Sequence, residues 1–348
     1  MAVTAETLRL AGRLRKQTAK IVDAQARALT AAWVDALDEV STDLREATLD
    51  LVTAAKGGTV TRSQALKSTR LRKALAAIAD SLDAAAKAAG VTISTDLPEI
   101  VRQAGEAQQA IIASQLPAAE RGIVQAWSRV DPASIEAIVT RSTEQITVKA
   151  WELSADAYQS VRKELIRGVS IGDNPRKTAA EMVKRTTGAF NGGLSRALNI
   201  SRTEVHDAHR AANQLSRGQN ADTLAGWLCT LSARTCPTCL GKNGELHPAG
   251  DAGPLGHHSC RCTAVPVART WRDLGIDMDE PADVFPDARA WFGEQTEATQ
   301  LQIMGPQRLE LLTSGKVSWE DLSQKRSTPG WRDAWHMTSV RDLAARAA

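Results

Sequence analysis

Apolar residues recur at three- and four-residue steps over most of the first 220 positions, the period of a helix with one buried face. Leu29, Trp33, Leu37, Val40, Leu44 and Leu51 form one such stripe, which predicts one or two helices over 4–56, ended by Gly57 and Gly58. A second helix is expected over 63–89, carrying Leu71, Leu75, Ile78 and Leu82, with Gly90 as its stop. Asp96 reads as the cap of a third, with Ile100, Val101, Ala104, Ile111 and Ile112 inside it and Pro117 interrupting it. Asp131-Pro132 is a cap followed by proline in the first turn. It opens a long helix through Ile135, Ile138, Ile146, Leu153, Val161 and Leu165 that ends at Gly168. Asn174-Pro175 opens a short helix to about Thr187. After Asn191-Gly-Gly193 another is expected, through Leu194, Leu198, Val205, Ala208, Ala212 and Leu215, closed at Gly218.

The period then changes. Trp227, Cys229 and Leu231 alternate with their neighbours and read as a strand, and 261–267 reads as a second, ended around Pro266. Beyond Thr270 the chain is rich in tryptophan: Trp271, Trp291, Trp319, Trp331 and Trp335. Stretches 287–299 and 305–312 look helical, Gly315 is a stop, and Trp319 to Leu322 begins a further turn. Tryptophans this dense in a polar segment either anchor a small satellite cluster or pack against a neighbour.

Four of the five cysteines lie in the stretch from Arg234 to Cys262. Cys236, Cys239, His257 and Cys260 give C-x2-C, seventeen intervening residues, then H-x2-C, close to zinc-ribbon spacing. A two-residue gap lets the chain reverse so that both thiolates face one tetrahedral ion. If Arg261 is extended, Cys260 and Cys262 face the same side, so either supplies the fourth ligand. The expectation is a structural zinc ion that stiffens a hairpin with little core of its own. A disulfide, or free thiols in a small core, are the alternatives. A catalytic zinc is not expected, because a thiolate-rich set leaves no open position for water. Cys229 is expected to be buried rather than a ligand.

Composition adds little. The formal charge is +3; between Arg196 and Arg272 nine basic residues face five acidic ones, a mild bias toward anionic partners. No signal peptide and no apolar run of about 18 residues is read, so a membrane partner is not expected. Clustered cysteines favour a metal site made in a reducing compartment. His206 and His209 could share a metal on one helix face, but a solvated face is the expected reading, and Glu204 is expected to be exposed or salt-bridged. No G-x-S-x-G, Walker A, G-x-G-x-x-G or H-E-x-x-H motif occurs, so no enzyme is expected.

Arg202-Thr203-Glu204 on a helix is followed by Trp227, Arg234-Thr-Cys-x-x-Cys239, Gly244, Pro254, His257 and Cys260-Arg-Cys262. This order resembles the phage Mu F-like minor head protein family over roughly 153–267. Trp291-Phe-Gly-Glu-Gln295, Gln300, Met304-Gly-Pro306, Arg308 and Leu311-Leu-x-x-Gly315 look like the extension such proteins carry. The resemblance implies a minor capsid protein of a tailed bacteriophage, found with the portal inside or at the base of the head. It also implies that Arg202, Thr203 and Glu204 form a structural motif beside the zinc hairpin. Some members are fused to toxin domains. The expected fold is mainly α: an elongated helical N-terminal region over 1–130, then a Mu F-like domain over 131–270 with a zinc-stapled hairpin at 226–267. A short helical C-terminal tail over 271–348 completes it. Expected partners are the portal or major capsid protein, other copies of the chain, and packaged DNA. The expected location is the virion, after synthesis in the host cytoplasm. The rival expectation is a zinc-containing DNA-binding protein, motivated by Arg234, Arg261, Arg269 and Arg272 around the ribbon.

Overall fold

The computed structural model describes residues 2–54, 62–118, 120, 132–150, 175–229, 235–257, 260–327 and 333–347, with single positions between 159 and 167. The described chain is mainly helical. Its helices are α1 (Ala5–Ala54), α2 (Arg62–Lys67), α3 (Thr69–Ala113), α4 (Pro132–Ala150) and α5 (Pro175–Gln219). Then come strand β1 (Leu224–Cys229), helix α6 (Pro237–Gly241) and strand β2 (Ala264–Ala268). The C-terminal part holds α7 (Ala288–Gly293), α8 (Glu297–Met304), α9 (Pro306–Thr313), β3 (Ser323–Arg326), β4 (Ala334–Met337) and α10 (Val340–Arg346). No helix among the described residues is long and apolar enough to cross a membrane.

Two expected helix breaks are absent. α3 runs through Gly90, Asp96 and Pro98 without stopping. A glycine inside a helix costs about 1 kcal/mol. Burying each of Ile93, Leu97 and Ile100, all nearly inaccessible, returns about 1.5–3 kcal/mol. Packing therefore wins. Asp96 does not cap a new helix; its carboxylate accepts a hydrogen bond from the Gln25 side chain at 2.7 Å. α5 likewise continues through Asn191 to Gly193, where Phe190 and Ala197 are buried on either side. α4 begins at Pro132, as the proline predicts; Asp131, Gly57, Gly58, Gly168, Asn174, Leu231, Arg234 and Trp331 lie outside the described residues.

The chain divides into two compact units. One comprises Ile21–Asp96 and Thr140–Ser201. Leu29, Trp33, Val40 and Leu44 of the predicted stripe are buried in it, as are Leu71, Leu75, Ile78 and Leu82. The hydroxyl of Ser201 donates to the Gln25 side-chain Oε1 at 2.7 Å, and Arg70 pairs with Glu46 at 2.7 Å and with Asp50.

The other unit comprises Met1–Lys20, Leu97–Val139 and Arg202–Ala348 and carries the cysteines. Here β1 and β2 pair antiparallel, with Trp227 opposite Pro266 and Cys229 opposite Ala264. Pro266 lies inside the strand rather than ending it. Val265 and Val267 pack against Val3, Ala11, Leu14 and Ile111. The other edge of β2 is met by two glutamines: Gln115 donates to the Pro266 carbonyl at 2.8 Å and accepts from the Ala268 amide at 2.9 Å, and Gln108 donates to the Ala264 carbonyl at 3.5 Å. On the far edge of β1, Trp227 and His247 exchange backbone bonds at 2.9 and 3.0 Å. Their rings stack 4.2 Å apart.

The tryptophan-rich segment forms a satellite cluster. Ala288, Phe292, Met304, Val317, Leu322 and Leu343 are its buried members, with Trp291 and Trp319 packed on them. The helix expected over 287–299 breaks in two, because Asp287 and Thr296 each cap a separate start by accepting from Ala290 and Thr299 amides. β3 and β4 form a second antiparallel pair that the sequence pattern did not predict.

Candidate metal centre

The described residues of 242–263 form no regular strand or helix, so their carbonyl groups need donors from elsewhere. One face of α5 supplies them. Arg210, Gln214 and Arg217 stand four and then three residues apart, one above another on the helix. Arg210 donates to the Cys260 carbonyl at 2.7 Å and to the Cys262 carbonyl at 3.1 and 3.2 Å. Gln214 donates to Gly250 O at 3.1 Å, and Arg217 to Ala249 O and Asp251 O at 3.3 and 3.0 Å. Arg210 is buried and also pairs with Asp207 at 2.7 Å. A polar stripe is therefore inside the protein, since the backbone it faces is otherwise unsatisfied.

The knuckle sulphurs converge. Cys239, Cys260 and Cys262 are buried, and their sulphurs all lie within 4.8 Å of one another. The Cys239 and Cys260 sulphurs are 3.8 Å apart. Cys236 stands on the rim, half-buried, and packs against these three cysteines. His257 Nε2 lies 3.2 Å from the Cys236 sulphur. All five cysteines are free thiols, and 3.8 Å is far from a disulfide length of about 2.05 Å. The backbone makes this approach possible at Gly256, where a Cβ atom would fall 2.2 Å from the Cys260 sulphur. The buried group of Cys239, Cys260 and Cys262 could hold a metal ion.

The surrounding charges suit thiolates. Hydrogen bonds from Cys239, Cys260 and Cys262, joined by His257, hold Cys236 far below the ordinary thiol range. Cys260 feels an opposing push from Cys236, but Cys239, Cys262 and the Arg210 charge bring it down to about 6. The contact with Cys236 pushes Cys239 and Cys262 up. Arg210 stays charged: burial lowers its pKa, and Cys260 and Asp207 more than reverse that. Arg15 of α1, half-buried, feels the Cys262 charge as well.

Cys229 behaves as expected of a core residue. It packs with Trp227 and Ala264, and burial pushes its thiol up to about 12. The expected solvated face at His206 and His209 is corrected. Both are buried, and burial followed by the Arg210 charge depresses both pKa values, His209 to about 3. Glu204, expected to be exposed or salt-bridged, is buried together with Thr203, while Arg202 is half-buried. Sequence reasoning missed Arg210, Asp207 and Arg217; the available signal was the Arg210, Gln214, Arg217 spacing. No family model, curated protein or solved structure matches this chain.

Proposed function

We propose that this protein is a non-enzymatic structural component of a tailed-phage head, portal-associated, whose cysteine knuckles are stapled by a zinc ion. The observation that carries the metal reading is the sulphur spacing. Four sulphurs on a tetrahedron around zinc, at about 2.3 Å each, stand about 3.8 Å apart. The Cys239–Cys260 separation is 3.8 Å. Cys236, Cys239, Cys260 and Cys262 are the favoured ligands, a set that uses both Cys260 and Cys262. His257 then hydrogen-bonds the Cys236 sulphur; at 3.2 Å it is nearer than the roughly 3.6 Å edge of a tetrahedral nitrogen and sulphur pair. Burial of three of the four thiols supports a structural ion, since a catalytic one needs an open position.

The head assignment rests on the order of Arg202-Thr203-Glu204, the two knuckles and the Met304-Gly-Pro306 segment. A 50-residue helix such as α1 spans about 75 Å at 1.5 Å per residue, a length suited to scaffolding. DNA binding by the zinc ribbon is the second reading. It draws on Arg269 and Arg272, which are exposed, and on half-buried Arg261; Arg234 lies outside the described residues. Elemental analysis of freshly purified protein should find one zinc per chain. The double variant Cys236→Ser with Cys239→Ser should lose it and fail to enter heads. Normal incorporation of a metal-free chain would remove the docking role.

A further inference from the structure

We infer that the ion seats the C-terminal part of the chain, residues 288–346, and that its removal releases this part as a folded unit. The inference rests on the zinc reading above. The C-terminal part stands on both knuckles. In the first, α6 sits immediately after Cys236 and contains Cys239. Leu240, next to that cysteine, belongs to the core of Phe292, Met304, Val317, Leu322 and Leu343. Gly241 passes so close beneath Trp319 that a Cβ atom would lie 2.6 Å from its carbonyl oxygen. Lys242 places its ammonium 3.9 Å from the centre of the Trp335 ring.

The second knuckle meets the same strand. The Trp335 amide donates to Leu255 O at 2.7 Å, and Gly256 bridges Trp335 in parallel register. The His257 and His336 rings are 6.3 Å apart. Strand β4 therefore spans two short loops that carry the four thiols.

The two loops are not held alike. Arg210 fixes the second knuckle to α5 through the Cys260 and Cys262 carbonyls, whether or not an ion is present. The first knuckle is tied to β1 by Asn243, which donates to the Cys229 carbonyl at 3.0 Å, and meets the second through sulphur contacts, Cys239 with Cys260 and Cys236 with His257. Neutral thiols make weak hydrogen bonds and thiolates repel one another; an ion replaces both with four bonds. Its loss leaves α6 tethered at Asn243 on that side and loosens it, which shifts Leu240 in the satellite core and slackens the Lys242 and Trp335 contact. Ala288, Phe292, Met304, Val317, Leu322 and Leu343 still bury one another, so the C-terminal part departs folded.

Amide exchange on the full chain tests this, before and after stripping zinc with a chelator and after reloading with Zn2+. The expected result is that the Trp335 and Leu240 amides exchange roughly tenfold faster or more without the ion. Amides within Ala288–Thr313 should keep their protection, and reloading should restore the original rates. Leu240→Ala, which leaves all four thiols in place, should keep the zinc and still loosen Trp335. Unchanged Trp335 protection after verified zinc loss overturns the inference and leaves the zinc reading standing. Collapse of protection across Ala288–Thr313 overturns departure as a folded unit. A chain that neither contains nor takes up zinc overturns both readings.

Discussion

Replacing Arg210 with methionine tests most directly how the second knuckle is built. The side chain is buried and makes four polar contacts: Asp207 at 2.7 Å, Cys260 O at 2.7 Å and Cys262 O at 3.1 and 3.2 Å. Charge-assisted hydrogen bonds contribute about 1.5–3 kcal/mol each, but they share one side chain and do not add. Removing one member of a buried ion pair costs about 3–5 kcal/mol, and here the member left behind is Asp207, its side chain 12% exposed. We expect Arg210→Met to destabilise the cysteine unit by about 4 kcal/mol. Zinc affinity should fall about 10–100-fold, as it does when a group orienting the ligands is lost. Arg210→Lys keeps the charge but reaches fewer acceptors at once, for a loss of about 1–2 kcal/mol. Adding Asp207→Asn to Arg210→Met removes the carboxylate that Arg210 neutralises and should recover part of the loss. Denaturant midpoints and chelator competition on the full chain supply both readings. A methionine variant within about 0.5 kcal/mol of the parent, with its zinc affinity intact, would refute the reasoning.

Three other outcomes follow from single contacts. His206 and His209 are held neutral inside the fold, while unfolded histidine titrates near 6.5. The unfolded chain then binds more protons below pH 6.5, so stability falls with pH from there, down to about 3 for His209. At pH 5 His209 should contribute a loss of about 2 kcal/mol, and His206 a loss of the same sign. Denaturation at pH 7.5 and 5.0, with zinc content followed in parallel, should show the loss shrink in His206→Gln and His209→Gln. Gly256→Ala places a carbon 2.2 Å from the Cys260 sulphur and should abolish zinc uptake. Gly250→Ala, with nothing within 4 Å, should leave uptake unchanged, both measured by elemental analysis. Cys229→Ala should keep one zinc per chain and cost about 1–2 kcal/mol in denaturant; loss of the metal would make Cys229 a ligand.

The helical period of the chain was legible because apolar stripes such as Leu29, Trp33, Val40 and Leu44 do face a core. Local punctuation was less reliable. Gly90 and Asn191 to Gly193 read as stops, yet Ile93, Leu97 and Phe190 bury enough surface to carry the helices past them. The knuckle cysteines were legible from spacing, since ligands two residues apart are a local property of the chain. Arg210, His206 and His209 were not. A polar stripe on a helix reads as solvated unless the irregular backbone that will face it is known, and that backbone lies about 50 residues further on. β3 and β4, Ser323–Arg326 and Ala334–Met337, carry no apolar alternation. They were invisible until Trp335 was seen to bond Leu255.

The charge of the centre ties it to parts of the chain far away in sequence. On the tetrathiolate reading, a divalent ion with four thiolates carries a net charge of −2, which is costly to bury alone. Arg210 from α5 and Arg15 from α1 both act on these cysteines, and Asp207 takes back part of the Arg210 charge. Neither arginine can be supplied by the knuckles themselves. A peptide cut to 226–267 would therefore keep every ligand but lack the counter-charges and the donors to Cys260 O and Cys262 O. Its affinity for zinc should be lower than that of the full chain, and more sensitive to salt, because exposed charges are screened where buried ones are not. Metal binding and the arrival of α1 and α5 are thus linked: each favours the other, and the ion reports on assembly of the unit rather than of a hairpin.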